Sequence, residues 1–304
     1  MEPVPSSFDA NAFFLNALKQ ATPTKSAQID AEVAQWNIRF TLDETSVTPE
    51  FWADVGTGEI NVPRRALYRI KAHAYANYAM MDALVRKHQG KGDAELDARL
   101  QAASELLTWA VRTDIATALD DGSSFSLGNV PDQFNTLCNK CLTAEQMEIA
   151  EEVFRLAVVW ILHHEIAHIR LQHVAPPGPD SIREEYEADN AAIDWLVDDA
   201  VLSDSERLSH RLAVATGLGW LAAFNVYLGN GTSDTHPPEC ERFISGIERI
   251  AAAGGVESEW SWAVCQAVLL LHAQNAGLPV EPSDMQGSFE EIARRLAQLI
   301  EDEA

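Results

Sequence analysis

Val153-Phe154-Arg155-Leu156-Ala157-Val158-Val159-Trp160-Ile161-Leu162-His163-His164-Glu165-Ile166-Ala167-His168 is the stretch on which the reading of this chain turns. A run this apolar and this long reads as a buried helix. Thr143, with Gln146 three residues on, forms a capping-box start for it. Its last turn carries H-E-x-x-H at positions 164–168. Residues four apart share a helix face, so both imidazoles can meet one metal ion, and Glu165 projects beside them as a proton acceptor for metal-activated water. The pattern arises by accident in roughly one chain in a hundred of this length, so context must decide. A chance pair of surface histidines would have polar neighbours, whereas Trp160, Ile161, Leu162 and Ile166 are apolar. Ala175-Pro176-Pro177-Gly178-Pro179 is expected to end the helix.

A catalytic zinc takes three protein ligands and keeps one position open. Beyond the prolines, Ser181 with Glu184 repeats the capping signature and opens a helix carrying Glu184-Glu185-Tyr186-Glu187-Ala188-Asp189. Glu184, Glu185 and Glu187 are all candidates by type for the third ligand. Glu185 and Asp189 are four apart, so one can bind metal while the other orients a ligating histidine through its second ring nitrogen. A merely solvated acidic turn accounts for Glu184 and Glu187 better than for that pair. Ser203 with Glu206 starts a further, long apolar helix, broken by Gly229-Asn230-Gly231. Thr235-His236-Pro237-Pro238-Glu239-Cys240-Glu241-Arg242 follows, a polar loop histidine fixed by prolines and leading into a helix with an arginine. His236, with Arg242 near it, suits a donor to a developing oxyanion.

The N-terminal half reads as a helical scaffold with one β-like interruption. Ser6 to Gln20 has apolar residues at helical spacing. Ile38-Arg39-Phe40-Thr41-Leu42 alternates, and Phe51 to Val55 leads through Gly56-Thr57-Gly58 into Ile60-Asn61-Val62, as strands joined by a glycine turn. Helices are expected from Arg64 to about Lys87 and from Ala94 to Leu119, then three more after Gly231. With no repeat, no low-complexity tract and no linker, residues 1–304 read as a single mainly α domain of α+β, zincin-like type: a helical bundle around the H-E-x-x-H helix, with a small sheet. The metal-site core falls at about 143–253.

Composition narrows the partners. The 304 residues hold 22 Lys and Arg against 46 Asp and Glu, a formal charge of −24. A nucleic-acid binder needs cations to replace the counterions of phosphates, so that class is excluded. Cys138 and Cys141 form a lone C-x-x-C without the second close pair a four-cysteine zinc site needs, and read as reduced structural thiols. The N-terminus shows no secretory pattern. The uncharged run from Leu212 to Gly231 reads as a buried core helix rather than a membrane span. A cytoplasmic, soluble protein is expected.

The order H-E-x-x-H, then E-x-x-A-D at 185–189, then T-H-P-P-x-x-x-R at 235–242 resembles the gluzincin peptidases of the CAAX-prenyl-endopeptidase and HtpX-like group, over about Trp160 to Arg242. In that resemblance the first glutamate of the second motif is the zinc ligand. It therefore implies His164, His168 and Glu185 as ligands, Asp189 behind them, and His236 and Arg242 in the third motif. This chain lacks that group's several membrane helices, and its soluble character looks more like the Lit-type phage-exclusion peptidases. That narrower resemblance implies a protein substrate, the host translation factor elongation factor Tu, and an activating trigger. The expected reaction is zinc-dependent endopeptidase cleavage, with Glu165 passing a proton from water to the leaving amine. A non-peptide amide hydrolase, or a non-catalytic zinc protein acting as an interaction module, are the alternatives. The intact Glu165 favours an enzyme.

Overall fold

The computed structural model describes residues 8–46, 50–88, 90, 94–112, 132–173, 180–197, 201–228 and 239–254. Among them it is mainly helical, with one three-stranded sheet. Helix α1 (Ala10–Ala21) is capped by Asp9, whose carboxylate accepts from Ala12 N–H at 3.0 Å. Helix α2 (Ser26–Trp36) ends with Asn37 in the left-handed region, φ 51°. Three strands follow: β1 (Arg39–Asp43), β2 (Trp52–Asp54) and β3 (Glu59–Pro63). Then come α3 (Arg64–His88), α4 (Ala94–Arg112), α5 (Asp132–Cys141), α6 (Ala144–Leu171), α7 (Ser181–Val197), α8 (Asp204–Leu228) and α9 (Glu239–Gly254).

The strand order is β1-β3-β2, with β1 parallel and β2 antiparallel to β3. The turn between β2 and β3 needs Gly58. At φ 76° it donates to Asp54 C=O at 2.8 Å, and a Cβ there would sit 2.7 Å from the carbonyl oxygens of Trp36 and Asn37. Phe40 N–H on β1 is taken by the Asn11 side chain of α1 at 3.1 Å, so α1 plugs that margin. Among the described residues β2 has no strand on its other side, and α6 packs beside it. Ile60-Asn61-Val62 therefore offers no free edge to an added strand. β3 is the central strand, paired on both sides, because β1 and β2 both take it as partner.

Helix α6 is the axis of the molecule, with α1, α3, α7 and α8 packed around it. Its capping box is formed: Gln146 N–H donates to Thr143 Oγ1 at 3.3 Å, and Thr143 N–H to Gln146 Oε1 at 3.0 Å. Gln146 also donates to Asp82 of α3 at 2.8 Å and accepts from Arg99 of α4 at 2.6 Å, so the cap is tied to the scaffold. Further along, α8 approaches at Gly217. A Cβ there would meet the Trp160 ring at 2.4 Å, so only glycine permits this closeness. Trp160 and Trp220 are fully buried in the same layer.

Four further points differ from the sequence reading. The prolines do not end α6, which stops at Gln172 (φ 57°) before reaching them. Asp180 rather than Ser181 starts α7, since Glu184 N–H donates to Asp180 C=O at 3.0 Å and Ser181 is already helical. Helices α2 and α5 were not expected, and α5 buries Cys138 and Cys141 as free thiols. The Ser203–Glu206 cap of α8 is formed as expected. Residues 113–119 of the second expected helix, 229–231 and those beyond 254 lie outside the described residues. No described helix is long and apolar enough to cross a membrane; Leu212 to Leu218 and Trp220 line the core.

Candidate active site

Three helices build the site. The last turns of α6 contribute His164, Glu165 and His168, the second and third turns of α7 contribute Glu185 and Asp189, and the first turn of α9 contributes Arg242. His164 Nε2 and His168 Nε2 are 3.0 Å apart. Glu185 closes the triangle, with Oε2 3.4 Å from His164 Nε2 and Oε1 3.5 Å from His168 Nε2. Among the described residues these three side chains form a group able to hold a metal ion. A tetrahedral zinc with bonds of ~2.0–2.1 Å holds its donors ~3.3 Å apart, so the spacing of the triad fits that ion.

Behind this triangle the charges are ordered by Arg242. Its Nε and terminal nitrogen donate to the two oxygens of Asp189, both at 2.8 Å, and its other nitrogen lies 3.3 Å from Glu185 Oε2. Asp189 Oδ1 in turn lies 2.9 Å from His164 Nδ1, the nitrogen facing away from the triangle. Asp189 and Arg242 are each only 3% exposed. Burial alone would raise Asp189, but Arg242 holds its carboxyl below the usual range. Burial likewise opposes the charge on Glu185, yet His164 and Arg242 hold it well below an ordinary carboxylate. His164 is disfavoured as a cation by burial, and the two carboxylates override this and raise it to about 10. His168, buried and beside a charged His164, is lowered to about 3.

Glu165 makes the opposite case. Burial pushes it up to about 8, with the negative charges of Glu185 and Glu50 adding to the rise and His164 opposing it. Glu50, two residues before the strand β2, is among the groups whose charge reaches Glu165. His163, next to the first ligand, points elsewhere: it stacks on Trp195 with centroids 4.8 Å apart, and burial lowers it to about 3, leaving it neutral.

The sequence-derived residues thus meet as expected at His164, Glu165, His168, Glu185 and Asp189. Arg242 joins them, paired with Asp189 and beside Glu185. His236 lies outside the described residues. Two residues were missed. His173, 6% exposed, reaches His168 Nδ1 with its own Nδ1 at 2.8 Å, and Glu187 lies 3.3 Å from His173 Nε2. Glu187 was read as part of a solvated turn. Two residues past Glu185, and so about 200° round α7, it carried no local signal of this contact.

Residues 60–265 match the Peptidase U49 family, and the chain belongs to that family; its class is that of the peptidases, hydrolases acting on protein or peptide substrates. Among its relatives is the protein named Cell death peptidase of Escherichia coli strain K12, 29% identical over 223 residues, which are 70% of each chain. No solved structure matches the chain.

Proposed function

We propose that this peptidase is a zinc-dependent endopeptidase of gluzincin type, with His164, His168 and Glu185 as the zinc ligands and Glu165 as the general base. The observation that carries the reading is the convergence of three side chains at the end of a buried helix: the two Nε2 atoms are 3.0 Å apart, and each lies 3.4 or 3.5 Å from one of the two carboxylate oxygens of Glu185. Zinc bound there supplies Lewis acidity, polarising a carbonyl and lowering the pKa of water toward ~7.

The chain's own residues account for the rest. A carboxyl poised near neutrality, as Glu165 is, both accepts and returns a proton, which is what transfer from water to a leaving amine requires. Asp189 and Arg242 hold His164 and Glu185 in place, so Arg242 is assigned a positioning role, and His236 keeps the role of oxyanion donor. An extended substrate pairs along the open edge of β2, next to Glu50 and hence to Glu165, since α1 plugs the β1 margin. The likeness to a cell death peptidase supports a narrow protein substrate within the cell, and the resemblance to the Lit-type enzymes makes elongation factor Tu the first to try.

The test combines metal content with cleavage. Purified wild type is expected to carry about one zinc per chain and to cut a protein substrate at a defined bond. Glu165→Gln is expected to keep the zinc and lose ~100- to 10,000-fold in rate, and Glu185→Ala to lose the zinc. Full zinc in Glu185→Ala would sink the ligand assignment, and undiminished cleavage by Glu165→Gln would sink the mechanism.

A further inference from the structure

The end of α6 is closed by a hydrogen-bonded αL turn in which Gln172 N–H donates to Ile169 C=O at 3.2 Å and His173 N–H donates to His168 C=O at 3.1 Å. This is the Schellman ending, and it folds the side chain at the position of His173 back against the one at the position of His168, ordinarily as an apolar contact. Here both side chains are imidazoles. Their Nδ1 atoms are 2.8 Å apart, and the rings stand edge to face with centroids at 4.9 Å. The other nitrogen of His173 lies 3.3 Å from Glu187 Oε2 on α7.

Proton counting gives this chain a direction. A carboxylate only accepts, so the nitrogen of His173 facing Glu187 carries a proton. A neutral His173 then presents a bare Nδ1, and the single proton between the two rings belongs to His168 Nδ1. His168 is left with a bare Nε2, and that is the atom 3.0 Å from His164 Nε2, inside the ligand triangle. In the opposite tautomer Nε2 would carry the proton and could not bind metal.

We propose that His173, anchored by Glu187, is the positioning residue of His168: it selects the tautomer and ring orientation that present Nε2 to zinc. The inference rests on the metal-site reading above. It assigns His168 the kind of backing that Asp189 gives His164, with an imidazole inserted between ligand and carboxylate. The ends of the two ligating side chains are thereby held from two different helices' worth of contacts, one through α9 and one through the cap of α6.

The test measures zinc affinity, by competition with a chromophoric chelator, together with the melting temperature of the zinc-free protein. His173→Leu keeps bulk without an acceptor, whereas the Oδ1 of His173→Asn stands where Nδ1 stood. His173→Leu is expected to bind zinc ~10- to 100-fold more weakly, His173→Asn to recover most of that loss, and the two zinc-free proteins to melt alike. Glu187→Ala is expected to weaken zinc binding less, at an unchanged melting temperature, and it carries the test if His173→Leu does not fold. Wild-type affinity in His173→Leu, or in Glu187→Ala where that variant stands in, overturns the assignment, as does His173→Asn binding as weakly as His173→Leu. If the wild type itself takes up no zinc, the metal-site reading falls and this inference with it; one tightly held zinc in both wild type and His173→Leu removes the inference alone.

Discussion

Helices α7 and α9 are joined by two arginine–aspartate pairs that use the same atoms in different surroundings. Arg242 grips Asp189, and two turns further along the same face of α9, Arg249 grips Asp194 with the same two-pronged contact. The side chains of the inner pair are 4% and 5% exposed, those of the outer pair 39% and 51%. Water screens the outer pair and would solvate either partner if the other were lost, so its net value is small. The inner pair cannot be solvated, and Arg242 also serves Glu185. Its loss would leave two carboxylates buried without their cation. Identical geometry therefore has a structural weight set by burial, and the heavier pair lies where the ligands are.

The comparison breaks most readily at Arg242. Arg242→Ala is expected to cost ~3–5 kcal/mol in chemical denaturation of the zinc-free protein, as for any buried pair stripped of one partner. Arg242→Lys restores a charge but not the planar fork, and is expected to leave most of that loss in place. Between the two arginines on the same face lies Gly246, where a Cβ would approach Leu218 Cδ1 to 2.3 Å. Gly246→Ala is expected to cost ~1–3 kcal/mol through overpacking of α9 on α8, measured the same way, and to weaken zinc binding in proportion as α9 is displaced. The smallest effect belongs to Arg249→Ala, ~0–1 kcal/mol and shrinking further in high salt. Losses of equal size at Arg242 and Arg249 would show that burial is not what separates the pairs.

What was legible in the chain was what local chemistry determines. Thr143 and Gln146 announce the start of α6, and Asp54 to Gly58 the turn of the hairpin, because each signal involves residues a few positions apart. His164, Glu165 and His168 share a face by helix geometry alone. Glu185 was one of three glutamates until the resemblance selected it, since which of them turns toward α6 depends on how α7 packs. The role of Arg242 was beyond local reading for the same reason: its type was visible, but Asp189 as its partner was not. His173 gave no signal, because its meaning depends on Gln172, a non-glycine residue adopting the left-handed conformation that ends the helix. The same residue explains why the prolines were misread as the stop. The order of strands in the sheet, with β3 in the centre, is likewise a non-local fact.

Thr143 and Gln146 have one more consequence, for the order of synthesis. The groups that seat the start of α6, Asp82 on α3 and Arg99 on α4, leave the ribosome before it, so the scaffold can receive this helix as soon as it emerges. Glu185, Asp189 and Arg242 come after. At ~5–20 residues per second, a growing chain carries its H-E-x-x-H for several seconds before Arg242 has been made. A nascent or truncated chain ending before α9 therefore has His164, His168 and Glu185 but not the arginine that ties Glu185 and Asp189, and on the reading proposed above it is not yet set to cut anything.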